Sequence, residues 1–440
     1  MAKKYIGAIW NEARQSFMRL TIGGDWALAL PATVRRNLRW YWFDGLYSAA
    51  SDNIYLTYLS VYILALGATR TQIGLMSSLS SFTAALVLLP AAFLVERFGH
   101  SKQFTVIFGG VIARAMILVL SIGPLLVVAP GIVWFAIVIA VTRDAFANFA
   151  YPAWMSITGD IVPLEGRGRY FGARNFIMAI AGMLTTMLIG ELITRTGTPW
   201  GYQIAMAIAF LIGMGGTYCF GQIVDPRSNL PHSNDTSITF KTLWVDLRAK
   251  KLILFLFTTT ALWNFSLNVA GPFFTVYLVQ NLKANATMVG LTTVATSVAS
   301  MLIQRKVGSL SDRWGPRRLQ LISMLLIPIL PICWVFVTAA WQIIFVNLLG
   351  GILWGAFSLA SFNYLLDLFP NNLRARYSAL YQIVVTLSLA IGAALGSAII
   401  TPLGFKVVFV VSSIGRFIAG LLFAGLVRPL KFSRQATNPN

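Results

Sequence analysis

Charged side chains stand in the middle of long apolar stretches of this sequence. Asp52 lies in the first such stretch, and Arg143 and Asp144 lie in the fourth. A charge at the centre of a bilayer costs about 2.5–3.5 kcal/mol on insertion scales, so it indicates function by default. A carboxylate there can take up and release a proton, and a neighbouring guanidinium favours the charged form of that carboxylate. This chemistry suits a protein that couples proton movement to another step.

Asp52 is the first candidate for the proton-coupling carboxylate, with Asp144 and Arg143 as further candidates. The alternative is a permanent structural ion pair between Asp52 and either Arg114 or Arg143. Arg143 and Asp144 are neighbours that point about 100° apart on a helix, so we expect each to find another partner. Arg114 and Arg416 are also central in their stretches, and the sequence leaves open whether they bind substrate or form buried structural pairs.

Helical spacing shows which faces of these stretches carry polar and aromatic residues. The candidates for contact with a solute are Asp44, Tyr55, Tyr62, Asn148, Tyr151, Trp263, Asn264, Asn268, Thr293, Ser297 and Trp354.

The elements that must position these residues are membrane-spanning helices. The 440-residue chain is 57% hydrophobic and only 11% charged, which excludes a soluble enzyme and a disordered chain. A spanning helix needs about 20 apolar residues. The predicted spans are 41–66, 72–95, 104–128, 130–156, 171–194, 201–222, 252–281, 287–304, 319–339, 341–366, 378–401 and 405–427.

The distribution of lysine and arginine predicts that both termini are cytoplasmic. With that orientation, 27 of these residues lie in cytoplasmic segments or in the adjoining span ends, and four lie in the outer loops or in the adjoining span ends. The formal charge of +20 is spread between the spans rather than gathered in one patch, so we expect no nucleic-acid partner.

Five regions follow from this pattern, and the polar stretch between the sixth and seventh spans divides the spans six and six. The regions are an amphipathic cytoplasmic segment (1–38), a six-helix bundle (39–222), a linker (223–250), a second six-helix bundle (251–427) and a cytoplasmic tail (428–440). Residues 6–20 of the first region show the spacing of a helix lying on the membrane surface.

Two landmarks repeat in the two halves. Gly74 and Glu96 correspond to Gly290 and Asp312 at an offset of 216 residues, and a second pair of landmarks, following the fourth and tenth spans, repeats at an offset of 207. The repeat predicts two bundles related by pseudo-symmetry.

At these landmarks the sequence resembles the major facilitator superfamily of secondary transporters, whose signature loop reads G-x-x-x-D-R-x-G-x-R-R. Gly308, Asp312, Arg313, Gly315, Arg317 and Arg318 match that loop in full, and Glu96, Arg97, Gly99 and Lys102 form a partial copy. The resemblance implies twelve helices in two six-helix bundles, with the first, fourth, seventh and tenth helices lining a cavity.

The signature loops predict a cytoplasmic gate in which the acidic residues bind helix ends or basic side chains. Arg167, Arg169, Arg374 and Arg376 begin the fifth and eleventh spans and are the expected partners. The alternative is that these charges only set topology.

Together these features predict a secondary active transporter of a small solute in the cell membrane, working by alternating access and coupled to protons. A membrane sensor that keeps the transporter fold, or a lipid flippase, remains an alternative. We expect a monomer in the lipid bilayer. Nucleotide-binding and metalloprotease motifs are missing from the sequence, so we expect that the protein is not an enzyme and uses no cofactor and no metal.

Overall fold

The computed structural model of the chain describes residues 19–98, 100–128, 131–225, 251–369 and 374–427. These residues form helices, and no strand occurs among them. The helices of the first half are α1 (Ala32–Ala65), α2 (Arg70–Phe98), α3 (Ser101–Leu126), α4 (Gly131–Ile161), α5 (Arg167–Thr196) and α6 (Trp200–Gly221).

Three helices of the second half are interrupted. α7 consists of Lys251–Ala270 and Phe273–Gln280, and α9 of Pro316–Leu326 and Ile329–Phe336. Between and after them lie α8 (Ala286–Trp314), α10 (Gln342–Leu368) and α11 (Arg374–Leu426). α11 changes direction at Gly404, whose φ is 76°.

Ten segments of the described residues are long and apolar enough to cross a bilayer. α1 is not among them, because Asp52, Asn53 and several Ser and Tyr residues lower its hydropathy although it has 34 residues. The last of the ten has 47 residues, about 70 Å of helix, which is enough for two crossings. The helical membrane fold is confirmed, and the count of twelve crossings stays a prediction.

The helices form two compact units. The first combines α1–α6 with residues 272–294, and the second combines the first segment of α7 with the chain from residue 295 onward. The division inside α7 falls between Gly271 and Pro272, where the helix is interrupted. The predicted region boundaries stay predictions, since most of 1–38, nearly all of 223–250 and the tail 428–440 lie outside the described residues.

In the first unit α1 is central. It packs on α5 and α6, while α4 packs on α2 and α3. The fully buried Tyr41 shares a 2.9 Å hydrogen bond with Thr158 of α4, and the hydroxyl of Tyr170 donates to the Leu38 carbonyl at 2.6 Å. These bonds fix the face of α1 that carries the predicted acidic residues.

In the second unit the first segment of α7 packs along α11, and α9 packs on α10 and α11. Ser412 donates to the Ser266 carbonyl at 2.6 Å, and a Cβ at Gly415 would lie 2.4 Å from the Ser266 hydroxyl. The close approach of the two backbones therefore requires glycine at position 415.

Candidate functional site

Arg143 of α4 lies between two carboxylates. Its Nη2 donates to Asp52 Oδ1 at 2.7 Å and its Nη1 donates to Asp144 Oδ1 at 3.2 Å. The expectation that Arg143 and Asp144 would not pair is wrong, because the guanidinium is long enough to fold back toward the next residue of its own helix. All three candidates for proton coupling are thus brought together in one cluster.

Tyr55 of α1 holds this cluster from one side. Its hydroxyl donates to Asp144 Oδ1 at 3.3 Å, and the Arg143 guanidinium lies 4.2 Å from the centre of its ring. A guanidinium over an aromatic face is attracted by the ring quadrupole. The side chain of Tyr55 is fully buried, and it contacts both the Arg143 guanidinium and the Asp144 carboxylate. Asn148 donates to the Asp144 carbonyl and supports the same turn of α4.

Asp44, two turns before Asp52 on α1, forms a second ion pair. Its partner is Arg174 of α5, with Nη2 at 3.2 Å from Oδ2, and both side chains are less than a tenth exposed. The same guanidinium lies 4.0 Å from the centre of the Tyr41 ring and donates to the Tyr41 carbonyl. A Cβ at Gly45 would lie 2.6 Å from Arg174 Nε, so glycine makes room for the buried cation.

Ser48 connects Asp44 to Arg114 of α3. Its hydroxyl donates to Asp44 Oδ1 at 3.1 Å and accepts from Arg114 Nη2 at 2.8 Å. Arg114 thus binds Ser48, whereas Arg143, the other predicted partner, forms the ion pair with Asp52. Arg114 follows a π-helical stretch of α3 at Thr105–Ile112, an irregularity that is frequent at functional sites.

The remaining predicted cavity residues of the first unit differ in accessibility. Tyr62 is fully buried, its hydroxyl donates to the Leu120 carbonyl, and its ring stacks on Tyr202 at 5.8 Å. Tyr151 is exposed and stacks on Trp154. Thr293 is partly buried and donates to the Val289 carbonyl. Tyr62 thus has the contacts of a packing residue, while Tyr151 is accessible.

In the second unit the predicted residues form an aromatic group and a polar face. The ring of Trp263 is stacked on the ring of Phe357, with 5.2 Å between their centres. The centre of the Trp354 ring lies 6.3 Å from that of Trp263. Asn264 and Asn268 donate to the carbonyls of Thr260 and Leu389. A further predicted residue, Ser297, is partly buried.

The described part of the predicted gate binds helix ends. Arg167 donates to the carbonyls of Gly159 and Val162 at the end of α4, and Arg317 donates to those of Ala424 and Val427 at the end of α11. Gly315 has φ 81°, a conformation that favours glycine, whereas Gly308 has open space around its Cβ position. Arg97, Arg169, Arg313 and Arg318 are exposed, and Lys102 is half-buried. Gly99 and the side chains of Glu96, Asp312, Arg374 and Arg376 lie outside the described residues.

Two glycines meet at one tyrosine at the predicted outer end of the first unit. Tyr58 of α1 donates to the carbonyls of Thr186 in α5 and Ala286 in α8, at 2.6 and 3.4 Å. A Cβ at either Gly190 or Gly290 would lie 2.5 Å from the Tyr58 hydroxyl. Sequence reasoning did not single out Tyr58 or Arg174. Within the described ranges, no three His, Cys, Asp or Glu side chains are arranged to hold a metal ion.

Comparison with protein families decides the class of this molecule. Residues 46–411 match the MFS_1-like family. The chain belongs to this family. The match covers every residue of the Arg143 cluster and all but the first and last parts of the helical region, so the family extends over both units.

Relatives of this MFS_1-like protein include two bacterial drug transporters. It is 25% identical over 387 residues to the multi-drug resistance efflux pump PmrA of Streptococcus pneumoniae, covering 86% of this chain and 92% of the relative. It is 23% identical over 393 residues to the multidrug resistance protein MdtG of Salmonella typhi, covering 87% and 93%.

Solved transporter structures share the fold. A bacterial homologue of the human lysosomal transporter Spinster matches with a TM-score of 0.69 at 14% identity, covering 91% of this chain and 98% of that one. The nucleoside transporter NupG matches with a TM-score of 0.67 at 11% identity, covering 89% and 99%. The family match and the two relatives, together with the helical membrane fold, make the protein a multi-pass membrane transporter of the secondary active type, which acts on a small molecule.

Proposed function

We propose that the protein exports a small solute in exchange for protons, with Asp52 as the carboxylate that carries the proton. The observation that supports this most strongly is the position of Arg143 between two acids. Arg143 can bond to Asp52 and Asp144 together, and it keeps one anionic partner when the other is protonated. One proton can therefore enter this cluster without leaving the guanidinium unpaired.

Asp52 suits the role of proton carrier better than Asp144. Its side chain is 45% exposed, against 22% for Asp144. Asp144 also accepts the hydroxyl of the buried Tyr55, which holds it inside the cluster. A proton that reaches the cluster thus meets Asp52 first, while Asp144 keeps Arg143 in place.

Proton binding at Asp52 would weaken its contact with α4. The bond between Asp52 and Arg143 joins α1 to α4, and a neutral carboxyl attracts a guanidinium less strongly than a carboxylate does. Protonation thereby alters the contact of two helices that line the predicted cavity. This provides a physical route from proton binding to the conformational change of a two-state carrier.

Export with both termini in the cytoplasm is supported by two observations. The relatives from Streptococcus and Salmonella carry the names of an efflux pump and a multidrug resistance protein. With cytoplasmic termini, 27 lysines and arginines stay inside and four lie outside. The expected partners are one solute and protons, and the expected working form is a monomer in the bilayer.

The test is transport into proteoliposomes under an imposed pH gradient, with a panel of fluorescent solutes. The wild type should accumulate a solute against its own gradient, and Asp52→Asn should not. Asp25→Asn is the matched control, because Asp25 is an exposed acid outside the membrane spans. Coupled accumulation by Asp52→Asn at the wild-type rate would refute the assignment. A wild type that transports no solute under any gradient would favour a sensor.

A further inference from the structure

Arg416 is a buried cation in the second unit. It lies in α11 beyond Gly404, and only 3% of its surface is exposed. Its Nη2 donates to the Leu267 carbonyl at 3.3 Å, and its Nε has no hydrogen-bond partner. The Leu267 carbonyl already accepts the amide of Gly271 at 3.0 Å, so the guanidinium is its second donor. Arg416 is thus held by one long bond to a neutral group.

In the described ranges 251–369 and 374–427, the acids stand at helix ends, away from this guanidinium. From residue 251 to the end the sequence has two acids, Asp312 and Asp367. Each lies within three residues of the end of its helix, α8 or α10. Arg416 is ten residues before the end of α11 at Leu426, about 15 Å along the axis. In the predicted topology α8, α10 and α11 end on the same side, so Arg416 lies at least two turns deeper than either acid.

The first unit shows the opposite arrangement. There the intramembrane cations Arg114, Arg143 and Arg174 are matched by three acids of α1 and α4. The glycine seams are alike, because Gly213 of α6 packs on Ser51 of α1 as Gly415 of α11 packs on Ser266 of α7. At the 216-residue offset of the signature loops Asn268 takes the place of Asp52, and at the 215-residue offset of these two serines Leu267 does. In either register the second unit keeps a buried guanidinium and has a neutral residue where an acid stands in the first.

We propose that Arg416 binds the transported solute and that this solute is an organic oxyanion, such as a carboxylate or sulfonate. The anion replaces the Leu267 carbonyl on the guanidinium and supplies a negative charge beside Arg416. Arg416 is enclosed in the described state, so the anion reaches it in another state of the transport cycle. This inference rests on the proposed transport function and adds to it the class of solute.

A buried charge without a counter-ion destabilises a protein, which makes Arg416 different from an ordinary packing residue. Glutamine can still donate to the Leu267 carbonyl but has no charge. We therefore expect unliganded Arg416→Gln to unfold at the wild-type temperature or above it. If Arg416 served only to stabilise the fold, the same substitution would lower the unfolding temperature.

The test uses the purified full chain, with thermal unfolding followed as ligands are added. The probes are benzoate and naphthalene-2-sulfonate, compared with the neutral benzamide, the cationic benzamidinium and sodium chloride at equal ionic strength. The organic anions should raise the wild-type unfolding temperature, and Arg416→Gln should bind them about 10- to 100-fold more weakly. Arg416→Lys should keep part of the effect. Lys406→Gln, which removes an exposed charge from the same helix, should match the wild type.

Three results would overturn the inference. These are equal anion binding by the wild type and Arg416→Gln, no anion-dependent shift in the wild type, or the same shift with chloride alone. If one of these results is found but the wild type still transports a cationic or neutral solute under a pH gradient, the proposed transport function remains valid. Anion binding through Arg416 without any coupled transport would instead overturn the transport function alone.

Discussion

Arg143 is almost enclosed, while Asp52, to which it donates at 2.7 Å, keeps 45% of its side chain exposed. The two members of this ion pair therefore differ in exposure. In the proposed mechanism Asp52 exchanges a proton while Arg143 stays fixed by Asp144 and by the ring of Tyr55. This asymmetry suits the proposed coupling site, because the cation keeps two contacts that do not involve Asp52.

Arg143→Gln should lower the unfolding temperature, because it leaves Asp52 and Asp144 without the cation that they share. The double variant Asp52→Asn/Arg143→Gln removes one of the two unpaired charges and should recover part of that loss. Thermal unfolding of the purified variants measures both effects. Equal unfolding temperatures for the wild type and Arg143→Gln would contradict the shared-cation arrangement.

Breaking the Asp44–Arg174 pair should destabilise the protein strongly. Both side chains are nearly fully buried, and removing one partner leaves an uncompensated charge, which costs about 3–5 kcal/mol. Arg174→Gln should therefore lower the unfolding temperature clearly. The double variant Asp44→Asn/Arg174→Gln should recover part of that loss, because no charge is left unpaired. Additive effects of the two single substitutions would show that the pair does not interact.

Gly290→Ala should loosen the contact of α8 with α1 and α5. The new Cβ would lie 2.5 Å from the Tyr58 hydroxyl and 3.1 Å from the Thr186 carbonyl, which corresponds to overpacking of about 1–3 kcal/mol. Adding Tyr58→Phe removes the nearest atom and should restore part of the stability. Gly172→Ala on α5, where the added Cβ meets open space, is the control. Equal unfolding temperatures for the Gly290 and Gly172 variants would rule out the close contact.

Within the signature loop, two glycines should respond differently to substitution. Gly315 has φ 81° and ψ 146°, a region essentially restricted to glycine, so Gly315→Ala should cost about 1–3 kcal/mol. Gly308 is helical and meets nothing within 4 Å of its Cβ position, so Gly308→Ala should be neutral or slightly stabilising. Thermal unfolding of the two variants side by side checks this, and equal losses would mean that the loop relaxes at position 315.

The helical membrane fold could be predicted from the sequence, because hydropathy and the repeated signature loops depend on local pattern. Partners of buried charges were harder to predict. The sequence does contain a signal for the Asp44–Arg174 pair, because both residues lie three residues inside predicted spans at the same membrane face. Backbone direction alone does not predict the pairing of Arg143 with Asp144, because the long guanidinium side chain can fold back toward the next residue.

Solute counterflow in proteoliposomes tests the central claim most directly, because it separates solute exchange from proton coupling. Vesicles are loaded with a solute that the wild type accumulates, and exchange of labelled solute is measured without a pH gradient. Asp52→Asn should still exchange solute, since the neutral side chain resembles the protonated state, but should lose gradient-driven accumulation. Loss of both activities in a folded variant, or retention of both, would contradict the assignment of Asp52 as the proton carrier.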